Sequence, residues 1–321
     1  MTIEESIRKR PAMYIGNDGT LGLLGMLVTN CIAFSRTDKI SFEILLQGQN
    51  EFVLRTQSIH DLTKFWNSFD HGEQENPVSA LRMVKALSSK FEYKRLEDGE
   101  NQLDFSFDTE VLNEVVIDYM QLLESMLLVA MLNRNCKILT IDKRQHFLSQ
   151  NYFHLPEGIF YFFERTVNAA LGKPGVLVKY DGKLNDRYYQ IGLAYRTDWF
   201  PHASVTSFAN DVHTSLGGSL VDGIMDGIIA ACKKYVRQKQ LENLKVKRRK
   251  FTNGLILVCA VRGEEFSYGG SFKERLDNDS VRKDSKALVT KLVLEFFQGK
   301  TDVASGFLCR FDSAGIGSAM F

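Results

Sequence analysis

The sequence is poor in residues that punctuate or crosslink a chain. Five prolines and two tryptophans are spread over 321 residues, and no Pro/Gly/Ser-rich stretch marks a linker. Five cysteines, Cys31, Cys136, Cys232, Cys259 and Cys309, are dispersed without a CxxC pair. An odd, scattered set inside apolar stretches reads as reduced thiols of a cytoplasmic protein, which argues against a disulfide framework. The six histidines form no HExxH, so no protein-built metal site is expected. A net charge of +1 provides no global field toward nucleic acid or membrane. No apolar run reaches the ~18 residues of a membrane span. The charged stretch Met1 to Arg10 lacks the apolar core of a signal peptide.

What is present is ordinary globular composition, 44% hydrophobic and 25% charged, at a length that suits two domains. Residues 39–46 and 51–56 carry β-type side chains around Gln47-Gly48-Gln49-Asn50, which predicts a hairpin. Val78 to Ser88 places Val78, Leu81, Val84 and Leu87 three apart and predicts a helix. Residues 91–94 and 102–107 read as strands, 111–133 as one long helix, and 137–142 as a strand. Pro156-Glu157-Gly158 separates a polar, aromatic stretch from a new apolar helix at Ile159, and marks the expected boundary between domains 1–155 and 156–321. In the second domain, strands are expected at 176–180 and 188–195. Gly217-Gly218-Ser219 opens a helix whose apolar face is Val221, Ile224, Met225, Ile228, Ile229, Cys232 and Val236. A strand at 255–261 and a helix at 285–297 follow. Both halves mix sheet and helix, so the fold class is α+β in two domains.

The segment Ile7-Arg8-Lys9-Arg10-Pro11-Ala12-Met13-Tyr14-Ile15-Gly16 resembles the "VRKRPGMYIG" signature of bacterial type IIA topoisomerase B subunits. Further along, Ser207-Phe208-Ala209-Asn210-Asp211-Val212 and Gly217-Gly218-Ser219-Leu220-Val221-Asp222-Gly223 are similar to the family's "F-x-N-N-I…GGTH-x-x-G". Asn253-Gly254-Leu255-Ile256 resembles its "REGL" strand entry. Phe272-Lys273-Glu274 falls where a loop carries a "QTK" lysine. These matches lie in order over almost the whole chain. The resemblance to gyrase and topoisomerase IV B subunits implies a GHKL (Bergerat-type) ATPase domain, followed by a transducer domain with a ribosomal-protein-like βαβ fold. It also implies ATP-driven closure of a dimeric gate.

Against that pattern the ATP machinery is depleted. Hydrolysis needs a group that orients water and a magnesium ligand. The family carries a glutamate four residues before an asparagine on its first long helix. Asn30 matches the asparagine, but Met26 stands at the glutamate, and a thioether neither takes a proton nor orients water strongly. The adenine-reading aspartate expected after the second strand is missing from Thr56-Gln57-Ser58-Ile59-His60, and Asp61 comes late. The glycine-rich phosphate lid is replaced by Gly72-Glu73-Gln74-Glu75-Asn76-Pro77. There, Glu73 and Glu75 repel phosphate and Pro77 has no N–H to donate. Lys273 keeps the position of the γ-phosphate lysine. Asn30 and Lys273 are therefore the candidate remnants of a nucleotide site, with no catalytic residue and no metal ligand expected. The few residues before the signature are too short for the arm that swaps across the family's dimer.

Nine of the residues from 233 to 250 are basic: Lys233, Lys234, Arg237, Lys239, Lys245, Lys247, Arg248, Arg249 and Lys250, opposed only by Glu242. Such a run can neutralise phosphates, so these are the DNA-contact candidates. The alternative is a solvated helix end, where cations are favoured in any case. Three functional readings follow. The first is a pseudo-ATPase that acts by binding DNA, a topoisomerase subunit or a second copy of itself, with no cofactor. The second is a working ATP gate using ATP and Mg2+. The third is a cleft that holds another small ligand.

Overall fold

The alternation in residues 41–57 folds as a hairpin. Strands β1 (Ser41–Leu46) and β2 (Glu51–Gln57) pair antiparallel, with Leu46 opposite Phe52 and Phe42 opposite Thr56. In this computed structural model the described residues are 2–15, 19–35, 40–57, 80–97, 99–113, 116–144, 148–170, 175–196, 202–241, 251–270 and 273–309. The chain divides into two units at Gly158.

In the first unit, β3 (Ser88–Arg95), β4 (Asn101–Phe107), β5 (Lys137–Asp142) and β6 (Ser149–Phe153) complete a sheet of order β3-β4-β2-β1-β5-β6. Only the β1–β5 pairing is parallel. Directly opposed residues share a face. Phe52, Leu54 and Thr56 therefore line up with Phe105, Leu103 and Asn101. Phe52 stacks on Phe105 at 5.3 Å, and Phe107 meets Phe105 edge-on at 5.4 Å. Helices α1 (Ile3–Lys9), α2 (Ala12–Ile15), α3 (Gly19–Ser35), α4 (Ala80–Ala86), α5 (Thr109–Leu112) and α6 (Tyr119–Leu132) complete the unit. Ile7, Leu24, Leu27, Val84 and Met126 from these helices share one core with that sheet face.

Two helix expectations are corrected. The helix expected to reach Ser88 ends at Ala86, because Ser88 already pairs with Phe107 in the sheet; its described residues are Ala80–Ala86. The segment 111–133 is not one helix. Asn113 takes a left-handed conformation (φ 52°) as the C-cap of α5, and Asp118 caps α6 by accepting from the Met120 N–H. Between them, the Ile117 N–H donates to the Gln49 carbonyl at 3.0 Å. A long-range backbone bond thus overrides local periodicity. Strand β6 lies inside the stretch read as polar and aromatic, and pairs with β5.

The second unit contains α7 (Ile159–Ala169), β7 (Gly175–Leu184), β8 (Arg187–Tyr195), β9 (Ser204–Ala209), β10 (Val212–His213), α8 (Ser219–Gln238) and β11 (Leu255–Arg262). The short strands β12 (Tyr268–Gly269) and β13 (Arg275–Leu276) pair with each other, and α9 (Asp279–Gly299) and α10 (Thr301–Cys309) follow. The main sheet runs β10-β9-β11-β8-β7. The β7–β8 turn is tighter than expected, at Asn185-Asp186, with Asn185 at φ 53°. One sheet face packs on α8 and α9 through Ile191, Leu193, Leu257 and Cys259. On the other, the Phe163 ring of α7 covers Gly192, where a Cβ would lie 2.6 Å from the ring.

The buried face of α8 is rotated from the predicted stripe. Leu220, Ile224, Met225, Ile228, Ala231, Cys232 and Tyr235 are buried, whereas Val221, Ile229 and Val236 are only partly so. Gly223 and Gly227 set that rotation. A Cβ on Gly223 would sit 2.0 Å from Ser285 Oγ, and one on Gly227 would sit 2.8 Å from the Lys286 carbonyl, so α9 lies directly on the α8 backbone. No helix among the described residues is long and apolar enough to cross a membrane.

Candidate nucleotide site

The signature near the N-terminus is first a piece of architecture. Thr2 and Glu5 form a capping box that starts α1, and Ile7 is fully buried. Arg8 donates to the Ala86 carbonyl at 2.9 Å and to Asp108 at 2.6 Å. It therefore ties the C-terminal end of α4, where a cation is favoured, to the capping residue of α5. This bond to Arg8 holds the Asp108 carboxyl below its ordinary pKa. Glu4 reaches Arg82 on α4 at 2.5 Å, and Ser6 Oγ meets the Tyr14 hydroxyl at 2.8 Å. Gly16 lies outside the described residues.

Helix α3 presents Met26 and, one turn later, Asn30. Met26 is 39% exposed. A buried structural methionine would be hidden, so this thioether stands at the unit's surface. Asn30 is half-buried, and its Oδ1 accepts from the Ala80 N–H at 3.3 Å. Asn30 thereby satisfies one of the orphan donors at the start of α4. Met26 offers no hard oxygen, and the carbonyl oxygen of Asn30 already has a protein donor. This pair does not form the oxygen-rich set that magnesium prefers. Among the described residues, no group of three His, Cys, Asp or Glu side chains is placed to hold a metal. Burial pushes the Cys31 and Cys259 thiols far up, and that of Cys232 up to about 12, so these three are poor nucleophiles.

Sequence reasoning passed over two residues at the end of β2 and the start of β4. Thr56 and Asn101 are direct cross-strand partners, and each is only 1% exposed. Neither Thr56 Oγ1 nor Asn101 Nδ2 has a hydrogen-bond partner. The other end of the Asn101 amide is fixed, with Oδ1 accepting from the Tyr93 hydroxyl at 2.9 Å. The available signal was Thr56 itself, the first residue of the stretch that lacks the adenine-reading carboxylate. Asn101 is too far away in sequence to have been paired with it.

In the second unit, Lys273 has φ 57°, and its Nζ lies 5.6 Å from the centre of the Tyr268 ring. Tyr268 in turn donates to the Ala209 carbonyl at 3.1 Å. Asn210, from the family-like stretch, exchanges two hydrogen bonds with the Gly263 backbone, at 3.0 and 3.1 Å. Gly218 has φ 104°, and a Cβ there would lie 2.1 Å from the Leu276 carbonyl. These family-like positions serve the architecture of the unit. Lys233, Lys234 and Arg237 are exposed or partly exposed on the last turns of α8. Lys247, Arg248, Arg249 and Lys250 lie outside the described residues, as do Asp61, Glu73, Glu75 and Pro77.

A mixed six-stranded sheet with helices on its core face, followed by a second sheet unit with two long packed helices, defines a two-unit α+β fold. Residues 158–310 match the family model described as DNA gyrase B. The chain is similar to the DNA gyrase B subunit of Streptococcus pneumoniae, 26% identical over 209 residues, which covers 62% of this chain and 31% of the relative. It is also similar to the DNA gyrase B subunit of Borreliella burgdorferi, 23% identical, covering 91% and 54%. The chain thus spans about a third to a half of the length of these relatives. Its fold matches the B-subunit of the DNA gyrase from Myxococcus xanthus, with a TM-score of 0.77 and 19% identity over 96% of this chain and 99% of that one. It also matches the topoisomerase IV ATP binding domain of Francisella tularensis, with a TM-score of 0.73 and 18% identity over 96% and 95%. In fold the chain is thus similar to the B subunits of gyrase and topoisomerase IV, and in sequence its second unit is similar to gyrase B.

Proposed function

We propose that this chain is a gyrase-B-like ATPase and transducer module that has lost ATP hydrolysis and acts by contact with protein or DNA, without a cofactor. The observation that carries this reading is Met26: an exposed thioether occupies the place where the resemblance requires a water-orienting carboxylate. A general base typically contributes about 10²–10⁴-fold, so its absence alone brings turnover to a negligible level. The partners that suit the reading are a type IIA topoisomerase subunit, a second copy of the chain, and DNA along Lys233, Lys234 and Arg237, in the cytoplasm. The test is phosphate release by the purified chain with ATP and Mg2+, with and without DNA. Turnover abolished by Asn30→Ala would overturn the proposal.

Two observations favour a second reading, a working ATP gate of a type IIA topoisomerase. Asn30 is retained on α3, and Lys273 is retained with its backbone in a constrained left-handed conformation. Calorimetric titration of Mg-AMP-PNP separates the two. Micromolar binding lost in Lys273→Ala supports the gate, and no heat at about millimolar nucleotide with a folded circular-dichroism spectrum supports the pseudo-ATPase.

A further inference from the structure

The outermost strand of a sheet leaves one side of its backbone without a strand partner. Such an edge accepts a further strand unless charge, proline or shortness blunts it. Among the described residues the two main sheets have four outermost strands, β3 and β6 in the first unit and β7 and β10 in the second. Three are guarded. β3 carries Lys90, Glu92 and Lys94, β7 carries Lys179, Asp181 and Lys183, and β10 is two residues long. β6 is different. It reads Ser149-Gln150-Asn151-Tyr152-Phe153, with no charge and no proline, and its first four residues are exposed.

The strand has an apolar margin and a firm backing. Leu148, immediately before it, and Tyr152 within it are 58% and 59% exposed. Four residues apart, they share a face of the extended chain. Behind the edge, β6 pairs with β5 along its whole length, with Tyr152 opposite Leu139. The Tyr119 hydroxyl of α6 lies 3.2 Å from both the Ser149 carbonyl oxygen and Asn151 Oδ1. The edge is therefore fixed before a partner arrives, which lowers the cost of pairing.

Charge selects the partner. In a two-fold interface each residue meets the same surface of its copy, so a charged edge strand repels itself. A neutral one does not, whereas an edge suited to an acidic or basic partner would carry the complementary charge. We propose that this chain dimerises with a second copy of itself by antiparallel pairing of β6 with β6. A two-fold axis at Asn151 pairs every residue of the strand. Tyr152 then lies opposite Gln150 of the partner subunit and diagonal to the partner's Leu148, within reach of an aromatic ring. The two sheets become one continuous sheet, bounded at both ends by the guarded β3. Both unguarded edges are consumed, so assembly stops at two copies. The contact is small and therefore weak, and it requires no nucleotide. In taking a second copy as the partner it rests on the proposed contact function, to which it gives a surface.

Sedimentation velocity of the purified chain, without ATP or magnesium, tests this. The mean mass is expected to rise from one copy toward two between about 10 µM and 1 mM. Asn151→Lys and Asn151→Asp each set a charge on the axis against its own copy, and each alone is expected to weaken the dimer by about fivefold. An equimolar mixture of the two is expected to associate more tightly than either alone, because the opposed charges attract. Tyr152→Ser is expected to weaken self-association by about fivefold as well. Circular dichroism checks that the variants fold, and if those at Asn151 do not, Tyr152→Ser decides the proposal. A single-copy mass up to about 1 mM would overturn the dimer. So would self-association unchanged by Asn151→Lys or by Tyr152→Ser, a mixture no tighter than its components, or growth beyond two copies. A monomer leaves the pseudo-ATPase reading standing with DNA or another protein as its partner, and ATP turnover would overturn that reading without touching the dimer.

Discussion

The two units solve the same packing problem with different tolerances. In the second, α8 and α9 meet backbone to backbone, at glycines where a single added carbon would clash with Ser285 and Arg282. In the first, α3 meets α6 at Gly25 more loosely, with a Cβ placed 3.3 Å from Val129. Both units keep buried polar atoms without a partner, Thr56 Oγ1 and Asn101 Nδ2 in the first and Arg187 Nε and Gln190 Nε2 in the second. The family model matches residues 158–310, essentially the second unit, while the fold likeness covers 96% of the chain. Tight packing demands particular residues, and the first unit packs with looser demands.

Matched substitutions test that contrast most strongly. Gly223→Ala is expected to cost about 3 kcal/mol or more, because the new methyl meets backbone that cannot move aside. Gly25→Ala is expected to change stability by less than about 1 kcal/mol, since helix propensity offsets a contact that yields by a few tenths of an ångström. Urea unfolding followed by circular dichroism measures both, and equal losses would end the comparison.

Next in size is Asp142 at the end of β5. It is 3% exposed and pairs with Arg144 at 2.8 Å, and Arg144 also donates to the Ile117 carbonyl at 2.7 Å. Asp142→Ala takes away the bonded carboxylate partner of that guanidinium and is expected to cost about 3 kcal/mol. The hydrogen bond from Arg144 lowers the folded-state pKa of Asp142. Its stabilisation is therefore complete above the unfolded-state value of about 4 and is lost as pH falls through the folded value. Unfolding curves of the native and Asp142→Ala proteins should converge as pH drops below about 4.

Arg8→Ala removes two hydrogen bonds from a partly exposed arginine. A loss of about 1–2 kcal/mol is expected, seen as a lower urea midpoint, and it would show that the signature acts first as architecture. The smallest effect has the opposite sign. Thr56→Val is expected to gain about 1 kcal/mol in thermal unfolding, because a buried hydroxyl without a partner is replaced by a methyl. A loss there would mean that the first unit tolerates its polar pair for packing reasons, and the contrast between the units would narrow.

Much of the fold was legible because it is written locally. The hairpin at 41–57, the strands at 137–142 and 255–262, and the two long helices of the second unit follow from period and turn residues within a short window. The site was less so. Met26 and Asn30 could be related to each other in the sequence because they share one helix, four residues apart. Asn101 was missed because its relation to Thr56 exists only across a strand pairing. The rotation of the α8 face was missed because glycines have no side chain to announce which way they face.

The sequence by itself determined most element types and the α+β class, since these depend on residue identity and near-neighbour spacing. Tertiary structure decided the break at Asn113, where Ile117 turns to Gln49, and the hold of Arg8 on Ala86 and Asp108. It also decided the juxtaposition of Thr56 with Asn101. Each joins residues far apart in the chain, and a hydrogen bond between distant residues is fixed by which strands and helices pack together, a choice made by the whole core.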